Sequence, residues 1–154
     1  MKPARVLRYC IIGLVALTVA LFALSLYTLF AGLSGAIQGD AFGLDLNTDE
    51  STGDWLFTFD ANPRNGGVLA VRLFIQLEIM SLDGESLAKN STSVYIDAGG
   101  QQQFSLTLLI PGEDVQRFLL EGQEGIFEMK FGISTLGDLV GFTQTMRIRG
   151  GAPI

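Results

Sequence analysis

Apolar and polar residues alternate along most of the chain with a period of two. From Leu69 to Ile79, for example, every second residue is apolar, and polar residues such as Gln76 lie between them. This alternation is typical of a strand with one buried and one exposed face in an antiparallel sheet. Seven segments share the pattern: 41–47, 55–61, 68–80, 92–98, 103–110, 126–134 and 140–149. The chain is therefore predicted to be mainly β, with an immunoglobulin-like antiparallel β-sandwich of about seven strands.

The alternation assigns one side of each strand to the core. In 55–61 the predicted inward residues are Trp55, Phe57, Phe59 and Ala61. The predicted inward residues of the last four strands are Val94, Ile96, Ala98, Phe104, Leu106, Leu108, Ile110, Phe127, Met129, Phe131, Ile133, Phe142, Met146 and Ile148. A minority of apolar residues fall on the outward side, and these are Leu56, Val68, Ala70, Phe74 and Leu109. Outward apolar residues indicate a face that is covered by a partner or by a second copy. Leu56, Phe74 and Leu109 are therefore the candidate interaction residues.

Turn sequences separate the predicted strands. Segment 62–67 combines Pro with paired Gly, and the dipeptides at 83–84 and 99–100 contain the glycines that turns require. One short helix, predicted over 111–122, interrupts the strands before the sixth. Its apolar residues at helical spacing are Val115, Phe118 and Leu119.

An uninterrupted apolar run precedes the strands. Residues 11–33 carry no charged side chain, and a helix of this length rises roughly 34 Å, enough to cross a hydrocarbon core of about 30 Å. The charge is +3 before the run and −9 after it, where seven basic and sixteen acidic residues lie. Because positive residues stay on the cytoplasmic side, the N-terminus is predicted inside and the domain outside the plasma membrane. The lipid bilayer is thus the first predicted partner.

The predicted organisation has five parts. They are a basic head at 1–9, a transmembrane helix at 10–33, a linker with the first strand at 34–50, a β-sandwich ectodomain at 51–149 and a tail at 150–154. A cleaved signal peptide is the alternative, but its apolar region is typically only about 7–15 residues long. Cys10 at the inner membrane edge is either an acylation site or a small hydrophobic residue.

Composition narrows the chemistry. The chain has no His, and Cys10 is its one Cys. Disulfides in the ectodomain, zinc, copper and haem sites of the usual kinds, and His-dependent nucleophilic catalysis are therefore excluded. The net charge of −6 argues against nucleic acid as a partner. The sequence predicts no catalytic, cofactor-binding or metal site, and the protein is predicted not to be an enzyme.

Two polar segments have local interpretations. The acidic cluster at 44–54, LDLNTDESTGD, lacks the spacing of a calcium loop and is predicted to be a solvated juxtamembrane linker. Asn90-Ser91-Thr92 is a glycosylation sequon or a chance triplet. Since it is predicted between strands on the outer side, Asn90 is a glycosylation candidate.

Solvated surface charges are predicted at Asp114, Glu121, Glu124 and Glu128.

The order of these features resembles a known family. The segments LFTFDANPRNGGVLAVRLFIQLEIMSLDGESL and YIDAGGQQQFSLTLLI resemble late embryogenesis abundant group-2 proteins, which carry the WHy (water stress and hypersensitive response) domain. The resemblance covers roughly residues 41–149, and Asn62-Pro63 is its most specific match. It implies a seven-stranded sandwich with one helix, often behind a transmembrane anchor. It also implies a stress-associated or structural binding role, with no catalytic residues to transfer.

Four functions stay open at this point. The first is a non-catalytic membrane-anchored structural or interaction module at the cell surface, which binds a protein partner or itself. The second is a subunit of a surface filament or array, built by strand addition at a sheet edge, although no pilin processing motif is present. The third is an accessory subunit of a larger membrane complex, whose anchor packs on partner helices. The fourth is a hydrolase or another enzyme that uses carboxylates alone.

Overall fold

Seven strands and two helices form the part of the chain that the computed structural model describes, residues 3–37, 42–117 and 125–150. The helices are α1 (Pro3–Ile37) and α2 (Gly112–Val115). The strands are β1 (Phe42–Thr48), β2 (Trp55–Ala61), β3 (Val71–Ser81), β4 (Ser86–Ile96), β5 (Phe104–Ile110), β6 (Gly125–Thr135) and β7 (Val140–Gly150).

The strands form two antiparallel sheets, so the predicted sandwich is confirmed. One sheet has the order β1-β2-β5, and the other has the order β4-β3-β6-β7. Contacts between β4 and β5 close one side of the sandwich. Gly84 and Gly99 adopt positive φ angles of 86° and 71°, which confirms the turns predicted at these glycines.

Two strands begin more than one residue away from the predicted start. The third strand begins at Val71, because residues 62–70 form the loop that joins the two sheets. The fourth strand begins at Ser86, six residues before the predicted start. Its polar residues Lys89, Asn90 and Ser91 stay extended because each pairs with a residue of β3. Pairing with β3 therefore overrides the weak local pattern of this segment.

The core lies between the sheets and confirms the predicted inward faces of β2, β3, β5 and β6. Its larger cluster is built from buried residues of these strands and of β4: Phe59, Ala61, Ile75, Leu77, Ala88, Leu106 and Leu108. A second cluster fills one end of the sandwich and includes a residue of α1. Its members are Leu29, Val71, Leu73, Ile96 and Ile133.

The predicted inward residues of β7 are exposed, which corrects the assignment of that strand to the core. Phe142, Met146 and Ile148 are 40%, 50% and 53% exposed. The register places them on the same face as Ile133, Met129 and Phe127, so their direction is as predicted. They remain uncovered because β7 is the outer strand of the wider sheet. Ala98 is also exposed, since β4 ends at Ile96 and Ala98 lies in the following turn. 

Two further predictions change at the end of the sandwich opposite the 62–70 loop, which is called the far end. The acidic cluster at 44–54 is not a juxtamembrane linker: it forms most of β1 and the connection to β2. The predicted helix at 111–122 is described only as the single turn α2, in which Val115 is buried. Phe118, Leu119 and Gly122 lie outside the described residues, as do Glu121 and Glu124, two of the predicted surface charges.

Helix α1 extends beyond the predicted limits of 10–33 at both ends. Among the described residues, one segment is long and apolar enough to cross a membrane: Tyr9–Gly32, with 24 residues and a mean hydropathy of 2.4. Every residue in 9–24 is exposed, whereas Ser25 and Thr28 are fully buried against the sandwich. The helix is thus exposed from residue 9 to residue 24 and packed against the domain through Ser25, Thr28 and Leu29.

Candidate functional site

The predicted interaction residues lie on opposite outer faces of the sandwich. Leu56 of β2 and Leu109 of β5 are direct cross-strand neighbours on the three-stranded sheet. Leu109 is 50% exposed and Leu56 is partly buried. Phe74 of β3 lies on the outer face of the four-stranded sheet, beside Ser93 and Gly132. The structure therefore brings Leu56 and Leu109 together but separates both of them from Phe74.

Asn90 lies within β4, not between strands as predicted. Its side-chain Nδ2 donates a 2.6 Å hydrogen bond to the backbone oxygen of Thr107 in β5. Its Oδ1 accepts a hydrogen bond of 2.8 Å from the Ser91 backbone N–H. The side chain is exposed, but the nitrogen that would carry a glycan links the two sheets at their closed side.

A shallow cleft of about 520 Å³ opens beside Phe74 on the outer face of the four-stranded sheet. Its floor contains Gly132, where an added Cβ would lie 3.1 Å from Oγ1 of Thr143 and 3.7 Å from Cβ of Phe74. The missing side chain at this position therefore creates the depression. The size falls within the range of small-molecule sites, but such sites usually enclose most of their ligand. This cleft is largely open to solvent.

The polar wall of the cleft is an ion pair that holds the β6–β7 turn. Arg72 donates to Asp138 at 2.8 Å, and the hydroxyl of Ser134 donates to the same carboxylate. The Ser134 hydrogen bond, followed by the Arg72 hydrogen bond, holds the pKa of Asp138 below its usual value. Asp138 is therefore ionised at neutral pH and is not poised as a general acid. The guanidinium of Arg72 also lies over the ring of Tyr95, 5.6 Å from its centroid.

A ladder of charges crosses the same outer face nearer the far end. Glu78 of β3 and Glu128 of β6 are directly opposed in the register. Each carboxylate has its own cation: Lys89 lies 3.0 Å from Glu78, and Arg147 lies 2.5 Å from Glu128. Hydrogen bonds from Ser86 and then from Lys89 lower the pKa of Glu78. Both carboxylates are thus held in ion pairs across four strands, an arrangement that offsets their mutual repulsion.

The β1/β7 side of the sandwich is open and apolar. Leu44 and Leu46 of β1 share the inward face with Phe59 and Phe57, yet they are 66% and 50% exposed. Phe142, Met146 and Ile148 of β7 are likewise apolar, inward-facing and exposed. We call the surface formed by these five exposed apolar residues the open side: Leu44, Leu46, Phe142, Met146 and Ile148. Sequence periodicity missed this surface because it shows which way a side chain points, not whether anything lies opposite.

Close backbone contacts join α1 to the loop at 62–70. The backbone N–H of Val68 donates to Oγ1 of Thr28 at 3.3 Å. A Cβ added at Gly67 would lie 2.5 Å from Cγ2 and 2.8 Å from Cα of Thr28, so only glycine permits this approach. The neighbouring Gly66 is less constrained, with the oxygen of Ala31 at 3.5 Å from an added Cβ. The helix and the domain therefore meet at a fixed junction.

Asn65 organises this loop, and sequence reasoning missed it. The side chain is fully buried. Its Nδ2 donates to the backbone oxygens of Leu69, Ile96 and Asp97 at 2.8, 3.1 and 3.1 Å. Its Oδ1 accepts a hydrogen bond of 2.9 Å from Gly67. The signal for it was the Asn-Gly-Gly sequence, since Asn side chains commonly bond to the backbone two residues on.

Comparisons with known proteins assign no family to the chain. No protein-family model and no curated protein match the sequence. Similar solved structures include a protein from Archaeoglobus fulgidus, with 10% identity and a TM-score of 0.47 over 75% of this chain and 98% of that one. They also include a glycosyl hydrolase family 2 member from Bacteroides cellulosilyticus, with 8% identity and a TM-score of 0.46 over 70% of this chain and 14% of that one. At this level of similarity, neither match assigns a family or an activity to the chain.

Proposed function

We propose that this protein is a non-catalytic, single-pass membrane protein whose β-sandwich acts as a structural or interaction module at the cell surface. The observation that carries the proposal is the division of α1. Its apolar residues are exposed throughout 9–24, and its last turns complete the core of the sandwich through Leu29. A lipid bilayer would cover the exposed part, and the packed part would hold the domain close to the bilayer.

The charge distribution supports the orientation within this proposal. Three basic residues precede the apolar run, and the nine excess negative charges follow it. The N-terminus then lies in the cytoplasm, and the sandwich lies outside the plasma membrane. The resemblance of the sandwich sequence to late embryogenesis abundant group-2 proteins, with their WHy domain, is part of the same proposal and depends on the residues quoted for it.

Association through the open side is the second part of the proposal. Uncovered inward residues on two outer strands supply apolar area that a partner or second copy can bury. The outer edges of β1 and β7 also offer backbone groups for strand addition. This observation keeps a filament or array subunit, or an accessory subunit of a membrane complex, as the alternative function.

A protease-protection experiment tests the topology. A C-terminal epitope should be removed when protease is added to intact cells, because the sandwich is proposed to lie outside. A cytoplasmic protein serves as the control for membrane integrity. If the epitope stays protected together with that control, the proposed orientation is wrong.

A pair of substitutions on one strand tests the association. Met146→Lys places a charge on the open side, and Thr145→Lys places the same charge on the opposite face of β7. We expect the Met146 variant to lose self-association or partner association in mild detergent, and the Thr145 variant to retain it, as measured by native mass analysis. Both variants should fold, since both positions are exposed. Equal association of the two variants would exclude the open side as the contact.

A further inference from the structure

The packed end of α1 lies inside the segment that is long enough to cross a membrane. The exposed part of the helix, 9–24, has a length of roughly 24 Å at about 1.5 Å per residue. A hydrocarbon core is about 30 Å thick. The full segment Tyr9–Gly32 crosses that thickness only if the turns that contact the sandwich, from Ser25 onward, are also counted. The contact between helix and domain therefore lies at the depth of the membrane boundary.

Val68 lies at the depth of the membrane boundary because it is hydrogen-bonded to the helix. Its backbone N–H donates to Thr28, which precedes Gly32 by about 6 Å along the helix axis. The side chain of Val68 is 54% exposed. Transfer of this exposed valine side chain from water into the apolar part of a bilayer would be favourable.

A second apolar residue lies at the same end of the sandwich. Leu139 is 84% exposed in the β6–β7 turn, and the register pairs Thr135 with Val140 at the base of that turn. An added Cβ on Gly32 of the helix would lie 3.1 Å from Ile133 of the same β6 strand. The helix end and the β6–β7 turn are thus neighbours at one end of the domain.

Polar groups set a limit to how deep this end can lie. The side chains of Arg72 and Asp138 are 36% and 45% exposed and form an ion pair next to Leu139. Tyr95, which is 64% exposed, lies beneath the same guanidinium. Ion pairs and tyrosines favour the headgroup level of a bilayer, whereas Leu and Val favour the acyl boundary below it.

From this placement we infer that the α1 end of the sandwich inserts into the outer leaflet, with Val68 and Leu139 at the boundary between headgroups and acyl chains. The inference rests on the proposed membrane anchor and adds a second, direct contact between the domain and lipid. The occupant of this apolar end is the bilayer itself. The domain would consequently be held in one orientation on the membrane, with its open side facing sideways along the surface.

Site-specific fluorescence in phosphatidylcholine vesicles tests the inference on the full chain. Single cysteines are introduced as Val68→Cys, Leu139→Cys, Asp83→Cys and Val15→Cys in a Cys10→Ser background, and each is labelled with a polarity-sensitive dye. Asp83 is the matched control because it is exposed in the β3–β4 turn at the opposite end. Val15 reports the anchor. Quenching by brominated phosphatidylcholine is measured for each label.

We expect the labels at positions 68 and 139 to be quenched several-fold more strongly than the label at 83. If 68, 139 and 83 are equally unquenched while 15 is quenched, the anchor is correct and the domain stands clear of the membrane, which overturns the inference. Blue-shifted labels at 68 and 139 that resist the lipid quencher would show a protein contact instead, and would also overturn it. An unquenched label at 15 would overturn the proposed anchor itself.

Discussion

The junction between α1 and the sandwich can be tested through one glycine. Gly67→Ala adds a Cβ that would lie 2.5 Å from Cγ2 and 2.8 Å from Cα of Thr28. Because the second atom is backbone, the loop or the helix must shift, and such overpacking costs about 1–3 kcal/mol. Gly66→Ala is the matched control, since its new Cβ makes only an ordinary contact of 3.5 Å. The control should be close to neutral.

Trp55 is the single tryptophan of the chain and lies in β2, so its fluorescence is a probe of unfolding. Urea unfolding in mild detergent, followed by tryptophan fluorescence, should show a lower midpoint for Gly67→Ala. A loss of about 2 kcal/mol with an m-value of about 2 kcal/mol per molar corresponds to roughly 1 M urea. Thr28→Ser removes Cγ2 but keeps the hydroxyl, so adding it to Gly67→Ala should restore part of the loss. Equal midpoints for the Gly66 and Gly67 variants would refute the close packing of helix and loop.

The remaining predictions concern the core and the charge ladder. Ile75→Ala should lower the free energy of unfolding by about 2–5 kcal/mol, because Ile75 is 2% exposed in the main cluster. Thr145→Ala, on an exposed face, should change this free energy by less than about 0.5 kcal/mol. A larger effect at Thr145 than at Ile75 would contradict the assigned faces. The lowered pKa of Glu78 predicts a stability contribution that is present above pH 4.5, the ordinary value for this group, and is lost as pH falls through the lowered value. The Glu78→Gln variant should therefore be less stable than the original protein at pH 7. It should also lose less stability between pH 7 and pH 3, as measured by urea midpoints. Equal losses of stability in the two proteins would show that Glu78 does not titrate in this way.

The charge ladder also shows what local patterns leave out. Glu128 is predicted from the sequence to be a solvated surface charge, and its own segment does not indicate Arg147 as its partner. The pairing of β3 with β6 places it opposite Glu78, a residue 50 positions earlier, and the pairing of β6 with β7 supplies Arg147. Such contacts arise only when distant strands come together, so a single segment cannot predict them.

Much of the fold follows from the sequence because alternation along a strand is a local property. Side chains at every second position must share a face, so the apolar sets of β2, β3, β5 and β6 identified their buried sides directly. The length and uniform apolarity of the N-terminal run likewise fixed α1 as a long helix, since its backbone hydrogen bonds form within the segment. These features need no information about distant parts of the chain.

The tertiary structure decided what covers each face. Phe142, Met146 and Ile148 have the same pattern as buried residues, yet they are exposed because β7 is the outer strand of its sheet and extends beyond the cover of the other sheet. The buried role of Asn65 and the docking of Thr28 also depend on segments about 30–40 residues apart that only the folded chain brings together. Period and composition show which direction a side chain takes, whereas strand order and sheet packing determine whether it meets protein, solvent or a partner.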